Sequence, residues 1–228
     1  MTRRFQIEDL ISQDASGVVF RALDSETGQM VALWRIFPLG SGGKLLDENR
    51  PGYSEALARL STARHPALRS VVGGGWDPVD GVPFIATEWL EGVPLSSIVA
   101  HQVLAGDVAI LLLIQALEVA ERISEVMGEE AVWVETRLDT IVLGNDESGR
   151  GFTFIVSPQR WLNGQNQPRG FGTIRSFTEE IMGWKGKNVA NDAGYGLGAW
   201  FNWLQKAPGT TTLREAREHL ATTVGIAS

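Results

Sequence analysis

Several groups of side chains in this sequence are of types that do chemistry. Gly128-Glu129-Glu130, Glu135 and Asp139 crowd one polar stretch, and two carboxylates at a fixed separation can work as general acid and base. Nothing in the sequence fixes their separation, so the stretch reads as a solvated edge. Ser16 and Thr87 offer hydroxyls, but neither has a histidine nearby to take its proton, which argues against a serine-type nucleophile. His65, His101 and His219 lie far apart, without paired metal-ligand spacing, and read as surface or capping residues. With no cysteine, disulfides, thiolate nucleophiles and Cys-ligated metals are excluded by composition. Gly73-Gly74-Gly75 invites comparison with a phosphate cradle, yet no helix start follows, and a strand bend or bulge is the better reading.

One residue raises a sharper question. In "MVALWRIF", Met30–Phe37, β-branched and aromatic residues suit a half-buried strand, and Trp34 puts a bulky indole in its middle, next to Arg35.

The chain has 228 residues, 43% hydrophobic and 21% charged, which is a globular composition with room for one large domain or two lobes. Its formal net charge is −7 and its arginines are scattered, so a nucleic-acid groove is not expected. "MTRRFQIEDL" has no apolar signal region, and the longest apolar run, Val108–Ile114, is far short of the ~20 residues of a membrane helix. A cytoplasmic, soluble chain is the expectation.

The elements that must position these residues fall into two textures. "FQIEDLIS", "GVVFRALD" and "MVALWRIF" read as three consecutive antiparallel strands, and "GSGGKLLDENRPG" as a flexible loop. "YSEALARLSTAR" reads as a short helix, and "LRSVVGGGWDP" and "PFIATEWLEG" as two strands joined at "VDG". Beyond Gly92 helices dominate. "DVAILLLIQALEVAERISEVM" is apolar on most faces, hence buried, with Asp107 as its N-cap. "TIVLG" and "GFTFIV" form a hairpin, residues 158–187 read as a long loop, and two closing helices follow, the second capped by Thr212 or a neighbour.

This order of elements resembles the eukaryotic-type protein kinase family, in its bacterial Ser/Thr form. "LISQDASGVVFRA" resembles the family's glycine-rich loop and "VALW" its V-A-[IL]-K strand. "RHPALRSV" resembles R-H-P-N-I-V, and "FIATEWLEGVPLSSIV" the gatekeeper strand, hinge and following helix. "NDAGYGLGAW" resembles the segment that starts the central helix of the large lobe. The resemblance implies an α+β, two-lobed protein-kinase-like fold: an antiparallel five-stranded N-lobe over 1–90 and a shortened helical C-lobe over 91–228.

It also implies where the chemistry belongs, and there the sequence departs. Kinase catalysis is positioning and charge neutralisation by a lysine, magnesium ions and an aspartate base. The lysine position is Trp34, whose indole has one N–H donor and no charge, so it projects into the old nucleotide cleft or seals its floor. Of the loop glycines only Gly17 remains; Ser12 and Asp14 stand where the first two belong, and Asp14 repels phosphate. The helix glutamate falls on Ala56, and Glu55, one residue off, faces about 100° away. "WVETRLDT" aligns with the catalytic loop, giving Glu135 at the base, Arg137 at the lysine and Thr140 at the metal-binding asparagine. Ser157 replaces the metal-binding aspartate of D-F-G. Asp192 and Glu180 match residues that are structural in the family.

The expectation is therefore a pseudokinase: no cofactor or metal, no ATP or magnesium binding, and a protein partner instead. The candidate partner surface is Arg160–Lys187, with Trp161 and Trp184 either as anchors, since Trp is enriched at binding hot spots, or as cover for an apolar surface left by missing helices. Trp200 and Trp203, three apart, read as one core-facing helix side. Two rivals are a degenerate kinase using Glu135, Arg137 and a relocated Lys44, and a metal-independent sensor whose cleft is lined by Val19, Ala32, Trp34, Thr87 and Glu88.

Overall fold

The computed structural model describes residues 4–15, 17–37, 50–128, 136–144, 151–156, 172–184, 196–208 and 210–225. Strands β1 (Phe5–Asp14), β2 (Gly17–Asp24) and β3 (Gln29–Ile36) form the antiparallel meander expected from the sequence. Its second turn is tied down by Asp24, which is buried beneath it. The Asp24 carboxylate accepts two hydrogen bonds from Arg4, at 2.9 and 2.8 Å, and others from Glu26 N and Thr27 Oγ1, both at 3.1 Å. The Arg4 bonds lead the forces that hold Asp24 down to about 2, against the opposing effect of burial.

Strands β4 (Val71–Trp76) and β5 (Pro83–Glu88) complete a five-stranded antiparallel sheet in the order β1-β2-β3-β5-β4. Cross-strand pairing sorts its side chains. Phe20, Leu33 and Ala86 share one face and pack into a core with Phe5, Ala22, Val31 and Phe84. Val19, Trp34, Ile85 and Gly74 form a row on the other face. There helix α1 (Arg50–Leu60) comes close: a Cβ on Gly74 would stand 2.8 Å from the Leu57 side chain. Tyr53 of α1 is fully buried and donates from its hydroxyl to Phe84 O at 2.9 Å, and its ring meets Trp76 edge-on at 5.8 Å. The glycine run is thus a strand with a register shift between Val71 and Gly73, as expected, and one glycine is needed for helix approach.

The remaining elements begin with β6 (Gly92–Pro94), α2 (Leu95–Val99) and α3 (Gly106–Met127). Strands β7 (Val142–Gly144) and β8 (Phe152–Thr153) join β6 in a three-stranded sheet. Helices α4 (Gly172–Ile181), α5 (Leu197–Lys206) and α6 (Leu213–Val224) follow. The N-cap of α3 is Ala105, not Asp107; the Asp107 carboxylate sits within the first turn, where it faces the positive end of the helix dipole, and accepts from Val108 N at 2.9 Å. Nor is α3 buried all round. Leu111 is 52% exposed, and Glu121 accepts from Arg217 of α6 at 2.7 Å. Part of the expected 158–187 loop is helix α4. Thr212 does cap α6, in a reciprocal box with Glu215 (3.1 and 2.7 Å), which satisfies two otherwise orphaned amides.

Two compact units emerge. The first takes in Met1–Arg64 and Arg69–Leu90, the second His65–Leu68, Glu91–Val156 and Pro168–Ser228. A boundary near residue 90 is our proposal, supported by this switch at Leu90. The second unit also takes in His65–Leu68, where Leu68 bridges to Phe154 and Ala67 O accepts from Phe154 N at 2.8 Å. His65 is a capping residue, its Nδ1 accepting from Ala67 N at 3.1 Å. Among the described residues no helix is long and apolar enough to cross a membrane.

Candidate functional site

Trp34 is placed by pairing on both sides, against Val19 of β2 and Ile85 of β5. It is 3% exposed, so the indole fills space in the first unit and does not stand out into solvent. Ala32, one rung along, is buried beside Thr87 of β5, itself 3% exposed.

Gly17 explains how the hairpin tip fits. It is buried, its φ is +149°, and a Cβ there would overlap the Arg35 carbonyl oxygen and stand 2.6 Å from Trp34 Nε1. Only glycine lets the backbone pass this close. The residue that resembles a phosphate-loop glycine is therefore required by the tryptophan and its neighbouring carbonyl. Asp14 pairs with Gly17 across the tip and is exposed, and Ser12, opposite Val19, is half-buried.

Neither helix position singled out from the sequence turns a carboxylate inward. Ala56 is 3% exposed and packs inward, while Glu55 faces solvent and pairs with Arg59 one turn on, at 2.7 Å. Glu88 N donates to Ser70 O at 2.9 Å, and its carboxylate accepts weakly from Ser70 N at 3.4 Å. The sequence reading missed Arg69, a charged residue 6% exposed just before β4. Burial draws its guanidinium down to about 10, against the opposing pull of the Glu88 carboxylate. Its signal was an arginine where "RHPALRSV" departs from the apolar residue of the family's pattern.

In the second unit, Thr140 is 6% exposed and its hydroxyl donates to Arg137 O at 2.8 Å, closing its own turn. Arg137 forks onto the Asp139 carboxylate, at 3.1 Å from Nε and 2.5 Å from a terminal nitrogen. The cation offered by the sequence for phosphate is thus engaged by an anion two residues away. Glu180 is exposed in the last turn of α4. Glu135, Ser157, Asp192, Trp161 and Lys44 lie outside the described residues.

Trp184 is not a surface anchor. It is 2% exposed and meets Phe201 of α5 edge-on at 5.7 Å, so its area is spent on the core. Trp200 is fully buried and donates from Nε1 to Ala216 O at 2.9 Å, as a core residue should. Trp203 is half-buried and stacks on the His219 ring, 4.0 Å between centroids.

No family model and no curated protein sequence matches the chain. Solved structures do. The kinase domain of Mycobacterium tuberculosis PknI is similar at a TM-score of 0.72 and 11% identity, over 98% of this chain and 97% of that one. A variant of the same domain gives 0.71 at 12%, over 98% and 96%. The apo structure of a pseudokinase gives 0.61 at 11%, over 97% and 93%. This likeness shows the fold: α+β, two-lobed and protein-kinase-like, with the antiparallel five-stranded sheet expected from the sequence.

Proposed function

We propose that this chain, a protein kinase fold, works as a pseudokinase: a module that binds a protein partner and does not transfer phosphate. The observation that carries this reading is the burial of Trp34, at 3% exposure, where the family's lysine would meet the phosphates. Phosphoryl transfer needs cations poised on the transferring group. An indole supplies none, and the Arg137 guanidinium is held by Asp139. The hydroxyl at Thr140, spent on Arg137 O, is a poor magnesium ligand in place of an amide oxygen. With the nucleotide role vacated, the rigid scaffold is free to serve recognition in the cytoplasm of a bacterial cell.

Heating the purified protein with and without ATP and magnesium tests the proposal, because a ligand that binds only the folded state must raise its melting temperature. We expect no rise under either condition. A magnesium-dependent rise together with radiolabel transfer from ATP would restore the kinase reading. A rise with nucleotide alone would favour the sensor. Capture of a stable protein partner from native lysate is the positive counterpart.

A further inference from the structure

The indole of Trp34 is in an unusual setting for a side chain on a central strand. Its Nε1 atom is buried, and the backbone of Gly17, three residues past the Asp14 end of β1, lies directly against that edge. Gly17 is also the first residue of β2, pairing with Asp14 across a two-residue tip and with Ile36 of β3. The same glycine therefore ends the β1–β2 hairpin and touches the group that fills the sheet face beneath it. Indole is planar, apolar on its faces and polar at one edge, as a heterocyclic ligand would be.

We infer that Trp34 is a built-in latch that holds the β1–β2 hairpin tip against β3 at all times, a side chain doing the work of a bound heterocycle. The Val19–Trp34–Ile85 row fixes the ring from both neighbouring strands, and the glycine at 17 lets the tip close onto it. Closure then needs no ligand and cannot be released by losing one. The hairpin is a fixed part of the sheet, not a lid. This deepens the reading above by fixing the hairpin without any ligand, and it can fail separately. The latch can be absent in a protein that still ignores nucleotide, and nucleotide can bind elsewhere in a protein whose latch is intact.

Hydrogen exchange of the whole chain, followed on peptides spanning Gln13–Val19 and, as a reference, Phe84–Thr87, tests the latch. In Gly17→Ala the added methyl must push the tip off both the Arg35 carbonyl and the indole, and exchange in the first peptide should quicken at least roughly tenfold while the second stays protected. Wild-type exchange in that variant would overturn the inference. Trp34→Gly should loosen the same peptide, and free indole added to it should restore both protection and melting temperature, as apolar cavities accept matching aromatics. Loosening that free indole leaves untouched would refute the indole-shaped latch. If Trp34→Gly does not fold even with indole, Trp34→Phe decides: quickened tip exchange supports the latch, and unchanged exchange sinks it.

Discussion

Two regions of this protein fall where the resemblance places a kinase's chemistry, and on the proposed reading they lack it by opposite physical routes. On β3 the position that aligns with the family's lysine holds a buried indole, with Gly17 of the hairpin close against it. In the turn from Arg137 to Thr140 the polar groups remain, but they satisfy one another: guanidinium on Asp139, hydroxyl on a backbone carbonyl. The first route converts a functional position into core and should now carry stability. The second leaves a polar turn that contributes little and is far easier to reverse. On the proposed reading, packing and internal pairing are two ways to silence a site, and only packing makes the silencing costly to undo.

The largest expected effect separates them directly. Trp34→Ala should destabilise by about 3–5 kcal/mol in denaturant unfolding, since removing a buried aromatic loses transfer free energy and leaves a cavity. A loss no larger than that of Thr140→Val would erase the contrast. Acidification probes the polar tie inside the first unit. Asp24 is depressed to about 2 from its ordinary 3.8, so its stabilisation is fully present above pH 4 and is lost as pH falls toward 2. That loss should be on the order of 2 kcal/mol in wild type and absent in Asp24→Asn, whose stability should be lower already at pH 7. An unchanged acid profile in the variant would show that the tie contributes nothing. Thr140→Val should cost about 1 kcal/mol, the net worth of one ordinary hydrogen bond. Thr212→Ala should cost a similar amount, about 1 kcal/mol, by removing the capping oxygen of α6. Arg137→Ala should be smallest, under about 1 kcal/mol, because a partly exposed ion pair is screened by solvent. A larger loss there would mean that the turn is a structural centre after all.

Much of the fold was legible because local rules and tertiary packing agree. The three-strand meander, β4, β5 and the capping box of α6 were all written in alternation, turn residues and a Thr-x-x-Glu spacing. Helix α4 was hidden by its glycine- and arginine-rich surroundings, although Ile174, Phe177 and Ile181 do recur at helical spacing and are buried. Thr178 joins them on that face by donating its hydroxyl to Ile174 O at 2.7 Å, so a residue that reads as loop chemistry is satisfied inside the core. The anchor reading of Trp184 failed for a related reason: a tryptophan after a polar stretch looks exposed until its edge-on contact with Phe201 is known. The candidate site was legible as a set of losses, from Trp34, Ala56 and Thr140. What those residues do instead was not.

The sequence by itself determined which groups are missing, because charge, donor count and metal affinity are properties of side-chain type and need no coordinates. It also determined the order of the other strands and helices, α4 excepted, through periodicities that each segment carries alone. Only the tertiary structure decided what surrounds those positions: the indole buried in a row with Val19 and Ile85, Gly17 seated against its N–H edge, Asp139 engaging Arg137. Those outcomes depend on contacts between residues brought together by pairing and packing. Burial is a property of a neighbourhood, and no single residue type specifies it.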